Sequence, residues 1–305
     1  MADQTDPDYW TKQVLFTKSY HRDVYPAIDP KNPSNSAAGK IVLITGASEG
    51  LGKGIAFAFA AAGAAGVVIT ARRDKLLQTT AQTIREKSPK TEVVAVACDV
   101  TDEEATKSLF ESIKQKFGKL DIVVANAGGV SQGKSAFPKI GDFETRAWWN
   151  DFEINVRGTH LTSHHYITTF GPQGTIIGLT SGAASISIPG MSSYIIAKLA
   201  IIRIMELLHV EYPDLRTFSF NPGIVNTPQI MDAFAPYAHD TPELGGAMCC
   251  WLATGRAEFM RGRYVGVNFD VEVLEKHKEE IVEKNLLKTK FLNVDLGLEG
   301  YALLE

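Results

Sequence analysis

Short apolar runs alternate with longer amphipathic stretches through most of the chain. The runs are KIVLIT (40–45), GVVIT (66–70), TEVVAVA (91–97), LDIVVA (120–125), GTIIGLT (174–180), LRTFSF (215–220) and YVGV (264–267). Each is too short for a buried helix and is bounded by Gly, Pro, Asp or Asn, so each reads as a strand. Between them, IAFAFAAAG predicts a helix ending at Gly63, and a polar helix runs from about Arg73 to Lys87. A third helix starts behind Thr101 as N-cap and runs to about Phe117. One long helix is expected from Asp142 to Phe170, and another from Ser192 to Tyr212. Apolar strands alternating with helices predict an α/β fold, a doubly wound parallel sheet covered on both faces.

The flanks are different. Residues 1–38 are rich in Asp, Pro, Asn, Ser and Tyr without a period, and read as an irregular leader. Its aromatic residues Tyr9, Trp10, Phe16, Tyr20 and Tyr25 are candidates to pin it to the surface of a single domain spanning 39–270, with Pro30 to Ala38 as the link. Residues 271–305 form a C-terminal extension, a helical tail whose charge run VEVLEKHKEEIVEKNLL is read as a solvated face.

Composition narrows the function. Lys plus Arg is 31 and Asp plus Glu is 35, a net charge of −4, which argues against nucleic acid and against a polybasic membrane anchor. The longest apolar run, Ile55 to Ala65, is broken at Gly63 and is too short to span a bilayer. Three cysteines, Cys98, Cys249 and Cys250, make no disulfide framework or zinc spacing, and no metal site is expected. An acidic start without an apolar stretch is no signal peptide, so the expected location is cytoplasmic. His160 and His164 share a helix face but lack a carboxylate to complete a metal site, and read as packing residues.

The first strand runs into Thr45-Gly46-Ala47-Ser48-Glu49-Gly50-Leu51-Gly52. Glycines here allow a tight turn and close approach of backbone to a pyrophosphate, and the following helix N-terminus offers free amides. The spacing G-x-x-x-G-x-G after Thr resembles the short-chain dehydrogenase/reductase family. The resemblance extends over roughly 39–270 and implies a Rossmann fold. It places Asn126-Ala127-Gly128 at the end of the fourth strand, and Asp99 with Val100 beside the adenine ring. It also places Asn221-Pro222-Gly223, Val225 and Thr227 on the nicotinamide side.

Cofactor choice is read after the second strand. Ala71 stands where an acidic residue would accept from a ribose 2′-OH, and Arg72 and Arg73 follow. Guanidinium groups match a phosphate bidentately, so the expected cofactor is NADP(H) over NAD(H). Glu49 departs from the basic residue that some NADP-preferring relatives carry there, which puts the weight on Arg72 and Arg73.

Tyr194-Ile195-Ile196-Ala197-Lys198 places a phenol and an amine about one turn apart on one helix face. The ammonium, with the positive charge of an oxidised nicotinamide, is expected to lower the Tyr194 pKa and make it an acid–base group for hydride chemistry at a carbonyl. Ser181 lies thirteen residues earlier, where the resemblance places the catalytic serine, with Thr180 as the rival hydroxyl. Asn155 lies where relatives hold a water linking the lysine to solvent. The set Asn155, Ser181, Tyr194 and Lys198 implies NADPH-dependent reduction of a ketone, or the reverse oxidation of a secondary alcohol. The alternatives are an isomerase, epimerase or cyclase without net redox, and a non-catalytic NADP(H)-binding sensor.

Ser131 to Arg146 reads as one wall of a substrate cleft, and Thr227 to Thr241, with Met231, Phe234, Pro236 and Tyr237, as a lid. Trp148 and Trp149 are candidates either for packing on the sheet or for the pocket mouth. The apolar lid suggests a bulky, weakly polar substrate. The leader and tail resemble those of fungal members associated with secondary metabolism, which implies a natural-product ketone. The resemblance also implies a homo-oligomer, a dimer or tetramer.

Overall fold

The computed structural model describes residues 5–290; the rest of the predicted C-terminal extension lies outside the described residues. Seven strands form one parallel sheet in the order β3-β2-β1-β4-β5-β6-β7. They are β1 (Ile41–Thr45), β2 (Gly66–Ala71), β3 (Glu92–Ala97), β4 (Ile122–Ala125), β5 (Gly174–Leu179), β6 (Leu215–Asn221) and β7 (Arg263–Gly266). Every residue of β1 and of β4 is buried, which is why these strands read as unbroken apolar runs. The order of the sheet reverses between β1 and β4, and ligand crevices in such sheets open at the carboxyl ends of these strands.

The helices, after the single turn α1 (Tyr9–Lys12), are α2 (Gly50–Ala61), α3 (Asp74–Lys87) and α4 (Glu103–Phe117), then α5 (Thr145–Phe152), α6 (Gly158–Phe170) and α7 (Ser192–Glu211). The α4 cap is Asp102, whose carboxylate accepts from Ala105 N at 3.0 Å, and not the predicted Thr101. Thr101 instead bonds through its amide and hydroxyl to Asp99 Oδ1. The helix expected from Asp142 begins at Thr145 and is interrupted at Glu153–Arg157 by a π turn, in which Gly158 N reaches back to Glu153 O.

A helix not predicted, α8 (Pro242–Leu252), packs against α2. A Cβ on Gly246 would stand 2.8 Å from Gly54 O, so the small residues let the two backbones touch. The C-terminal tail is two short helices, α9 (Val271–Lys276) and α10 (Lys278–Glu283). Its predicted solvated face is only part of it: Val271, Leu274 and Ile281 are buried in the core, because the charged residues occupy the outer side alone.

The leader is held by long-range contacts. Ile28 is fully buried, and Tyr25 Oη donates to Phe269 O and accepts from Val271 N. Arg256 donates to Ala27 O and to Asn35 Oδ1, each at 2.8 Å. No helix among the described residues is long and apolar enough to cross a membrane.

Candidate active site

A cavity of about 1070 Å³ opens at the carboxyl ends of the strands. At one end lies the Gly-rich turn. Gly46 has φ +65° and Gly50 φ +57°, backbone that a side chain would strain. A Cβ on Gly52 would stand 2.4 Å from Gly46 O and 2.6 Å from Asn126 Nδ2. Asn126 itself braces the turn, donating to Thr45 O at 2.8 Å and to Gly46 O at 3.1 Å, while Ala127 N donates to Thr45 Oγ1 at 2.9 Å. No side chain caps the N-terminus of α2, so its first amides face the cavity end unshared with a cap. A narrow backbone cradle facing free amides fits a pyrophosphate.

All the sequence-derived cofactor positions line this cavity: Gly46, Ser48, Glu49, Gly50, Leu51, Gly52, Arg72, Arg73, Asp99, Val100, Asn126, Ala127, Gly128, Tyr194, Lys198, Pro222, Gly223, Val225 and Thr227. Arg73 is paired with Glu49. Arg72 is exposed and makes no ion pair among the described residues.

Farther in, Ser181, Tyr194 and Lys198 share the cavity wall. Ser181 lies two residues past the end of β5 and caps the following turn, its Oγ accepting from Ala183 N. The Ser181 hydroxyl stands beside the Tyr194 phenol and favours its ionised form. Lys198 Nζ lies 5.6 Å from the Tyr194 ring centroid and donates to Leu179 O at 2.8 Å. Thr180, the rival hydroxyl, is buried and spends its donor on Lys198 O, so it acts as a brace for α7.

Asn155 is fully buried behind this wall and does not line the cavity. Its Nδ2 donates to Gly129 O and Asp151 O, each at 2.8 Å. A point beside Gly128 lies 2.5 Å from Asn155 Oδ1 and 3.1 Å from Lys198 Nζ, so both side chains press on that glycine. The geometry makes Asn155 a brace for the turn after β4.

In the chain by itself, without the charge of an oxidised nicotinamide, burial outweighs the expected lowering of the Tyr194 phenol. Burial pushes Tyr194 up, the Ser181 hydrogen bond opposes it, and the charge of Asp151 pushes it further up. Lys198 is buried as well, and desolvation brings its ammonium down to about 8. A lysine with a depressed folded pKa costs stability fully below that value, and the cost fades as pH rises toward 10.5. The displacement is worth about 3 kcal/mol at neutral pH, against about 1 kcal/mol for the hydrogen bond to Leu179 O. Lys198→Met is therefore expected to raise Tm at pH 7 while lowering turnover, with the Tm gain shrinking as the pH approaches 10. A thermal melt series over pH checks it, and a Tm loss at pH 7 overturns it.

Asp151, which sequence reasoning missed, and Trp148 tie α5 to the start of α7. Asp151, fully buried, accepts from Ser193 Oγ at 2.5 Å, and Trp148 Nε1 donates to Ser192 Oγ at 3.0 Å. Trp148 stacks on Phe152, Trp149 is 57% exposed, and neither lines the cavity. The substrate end of the cavity receives Gly133 and Lys134 from the segment after β4, and Met231 and Phe234 from the expected lid; Pro236 and Tyr237 do not reach it. Asp232 ties the two together, its amide to Lys134 O at 3.1 Å and its carboxylate to Ser135 Oγ. Trp10, Thr11 and Val14 of the leader also line the cavity, which the composition of that segment gave no reason to expect.

Residues 40–237 match the family model described as short chain dehydrogenase. The curated protein Short chain dehydrogenase andI of Emericella variicolor is 33% identical, over 90% of this chain and 95% of its own. Short chain dehydrogenase pigC of Monascus ruber is 32% identical, over 90% of this chain and 93% of its own. Among solved structures, a short-chain type dehydrogenase/reductase from Mycobacterium marinum superposes with a TM-score of 0.69 at 28% identity, covering 76% of this chain and 95% of that one.

Proposed function

Because the chain belongs to the short-chain dehydrogenase/reductase family, whose members are oxidoreductases that typically bind a nicotinamide cofactor, we propose that it is an NADPH-dependent ketoreductase. It reduces a ketone on a bulky, weakly polar small molecule, or oxidises the corresponding secondary alcohol. The observation that carries the reading is the convergence of Ser181, Tyr194 and Lys198 on the inner wall of a cavity whose other end is the glycine cradle.

When bound, the reduced nicotinamide supplies the hydride. The chain's own work is at the oxygen. Ser181 donates a hydrogen bond to the substrate carbonyl and polarises it. Tyr194 Oη, kept protonated by burial, passes its proton to that oxygen as negative charge develops there. The proximity of Lys198 stabilises the phenolate left behind. Asn155 and Asp151 act through others, one holding the turn at Gly128 and the other holding Ser193 beside Tyr194.

The preference for NADP(H) rests on Arg72. With Arg73 neutralising Glu49, Arg72 is the guanidinium left to meet a 2′-phosphate. Arg72→Ala is expected to raise KM for NADPH about tenfold and that for NADH less than twofold, read from initial rates with each cofactor. Equal use of NADH by the parent enzyme overturns the assignment. The reaction itself is tested by following NADPH absorbance over a panel of ketones. Stoichiometric loss is the expected outcome, and conversion of a substrate without it favours the isomerase reading.

The fungal source of both curated relatives supports a natural-product ketone, and a cytoplasmic site of action is proposed with it. The catalytic domain proposed is 39–270, with the leader and extension laid on it. A homo-oligomer is proposed through the outer face of α7, where Ile196, Leu199, Leu207 and Val210 are exposed at helical spacing.

A further inference from the structure

The leader lies outside the span matched to the family, yet three of its residues reach the reaction chamber. Val14 is packed against the residue after Ser181: a Cβ on Gly182 would stand 3.1 Å from both Val14 methyls. Trp10 meets Phe234 edge-on at 5.7 Å between ring centroids, and Phe234 meets Phe137 at 6.4 Å. Three segments distant in sequence thus join at one aromatic row beside the cavity.

The leader is also fastened to the part of the chain that carries the cofactor positions. Arg22 pairs with Asp240 at 2.8 Å and with Asp8, and donates to Thr11 Oγ1 at 2.8 Å and to Tyr237 O at 3.0 Å. Asp240 has no exposed side-chain surface. It accepts from Ile224 N at 2.6 Å and Asn268 Nδ2 at 2.7 Å, beside Gly223. One buried carboxylate therefore joins the leader to the Pro222–Gly223 turn. This arrangement fixes where Trp10 and Val14 stand relative to Tyr194.

We propose that Trp10 and Val14 form the outer wall of the substrate chamber and select flat, fused-ring aryl ketones over small aliphatic ones. The inference rests on the ketoreductase reading of the same site. Its chemistry follows from the surfaces present. Trp10, Val14, Ile188, Met191, Met231 and Phe234 give apolar faces and an aromatic ring, more surface than a small aliphatic ketone held at Ser181 and Tyr194 can cover. A half-buried Trp that lines the cavity gains contact area from a planar partner at little cost in side-chain freedom.

The test uses the full chain, saturating NADPH, and two probes, 2-acetylnaphthalene and 2-butanone. Trp10→Ala is expected to lower the ratio of kcat/KM for the naphthyl ketone to that for butanone about tenfold, and Val14→Ala to lower it severalfold. An equal fall for both ketones means that Trp10 acts only on folding, and an unchanged ratio means that it does not touch the substrate. Either result overturns the inference. Calorimetric binding of 2-acetylnaphthalene to the NADPH-loaded chain separates this from the ketoreductase reading. Binding that weakens about tenfold in Trp10→Ala without turnover of either ketone leaves the wall standing and sinks the reductase. Absence of binding to the parent chain sinks the wall.

Discussion

Tyr194→Phe is expected to lower kcat/KM about a thousandfold or more while changing the NADPH dissociation constant by less than threefold. The substitution removes one oxygen and keeps the ring in its place one turn from Lys198. Proton transfer from a positioned acid contributes roughly 10²–10⁴-fold to rate, and Ser181, left without its partner, cannot replace the lost donor with the same geometry. Stopped-flow reduction with saturating NADPH reads the chemical step, and fluorescence titration reads the cofactor. A variant that keeps a tenth of the parent rate removes the acid role from Tyr194. A pH profile adds a second readout. Burial holds the phenol above its ordinary value of 10, so the acid stays protonated, and a fall in the free enzyme's reduction rate from about pH 8 upward is expected from loss of the Lys198 charge.

Gly52→Ala is expected to weaken NADPH binding about a hundredfold. The added methyl would stand 2.4 Å from Gly46 O, 2.6 Å from Asn126 Nδ2 and 2.9 Å from Ala47 Cα. Two of these are backbone atoms of the same turn. The third is the side chain that holds Thr45 O and Gly46 O, so relief by rotation breaks those bonds. The turn must open, and the amides that face a pyrophosphate lose their common focus. Gly141→Ala is the matched control, since a Cβ there meets nothing within 4 Å. Parent-like affinity in Gly52→Ala would mean that the cofactor sits elsewhere.

Legibility in the sequence followed the range of the interactions. Strands buried on both faces leave continuous apolar runs, so the seven strands and their parallel arrangement could be read from β1 onward. The glycine turn and the Tyr-x-x-x-Lys pair are local, and their spacing is their chemistry. Helix α8 left no such trace. Every residue from Leu244 to Leu252 is buried, so no polar face marks the period, and only the Thr241 cap with Pro242 after it signals a start. The π turn at Asn155 is likewise invisible, because an extra residue in one turn has no compositional mark. The pairing of Asp151 with Ser193 joins positions 42 apart, and that of Arg22 with Tyr237 joins positions 215 apart; neither is a pattern that a window can hold. The aromatic residues of the leader were readable as anchors, but their place at the cavity was not.

The clasp made by Arg22 and Asp240 bears on how knowledge travels between homologues. A chimaera that grafts residues 40–237 into another member's frame would import the proton donor and the phosphate cradle, yet would leave the indole and its arginine behind. On the wall proposed above, part of substrate selection falls in residues before position 40, and ranking relatives by likeness over the shared span leaves that part unweighed.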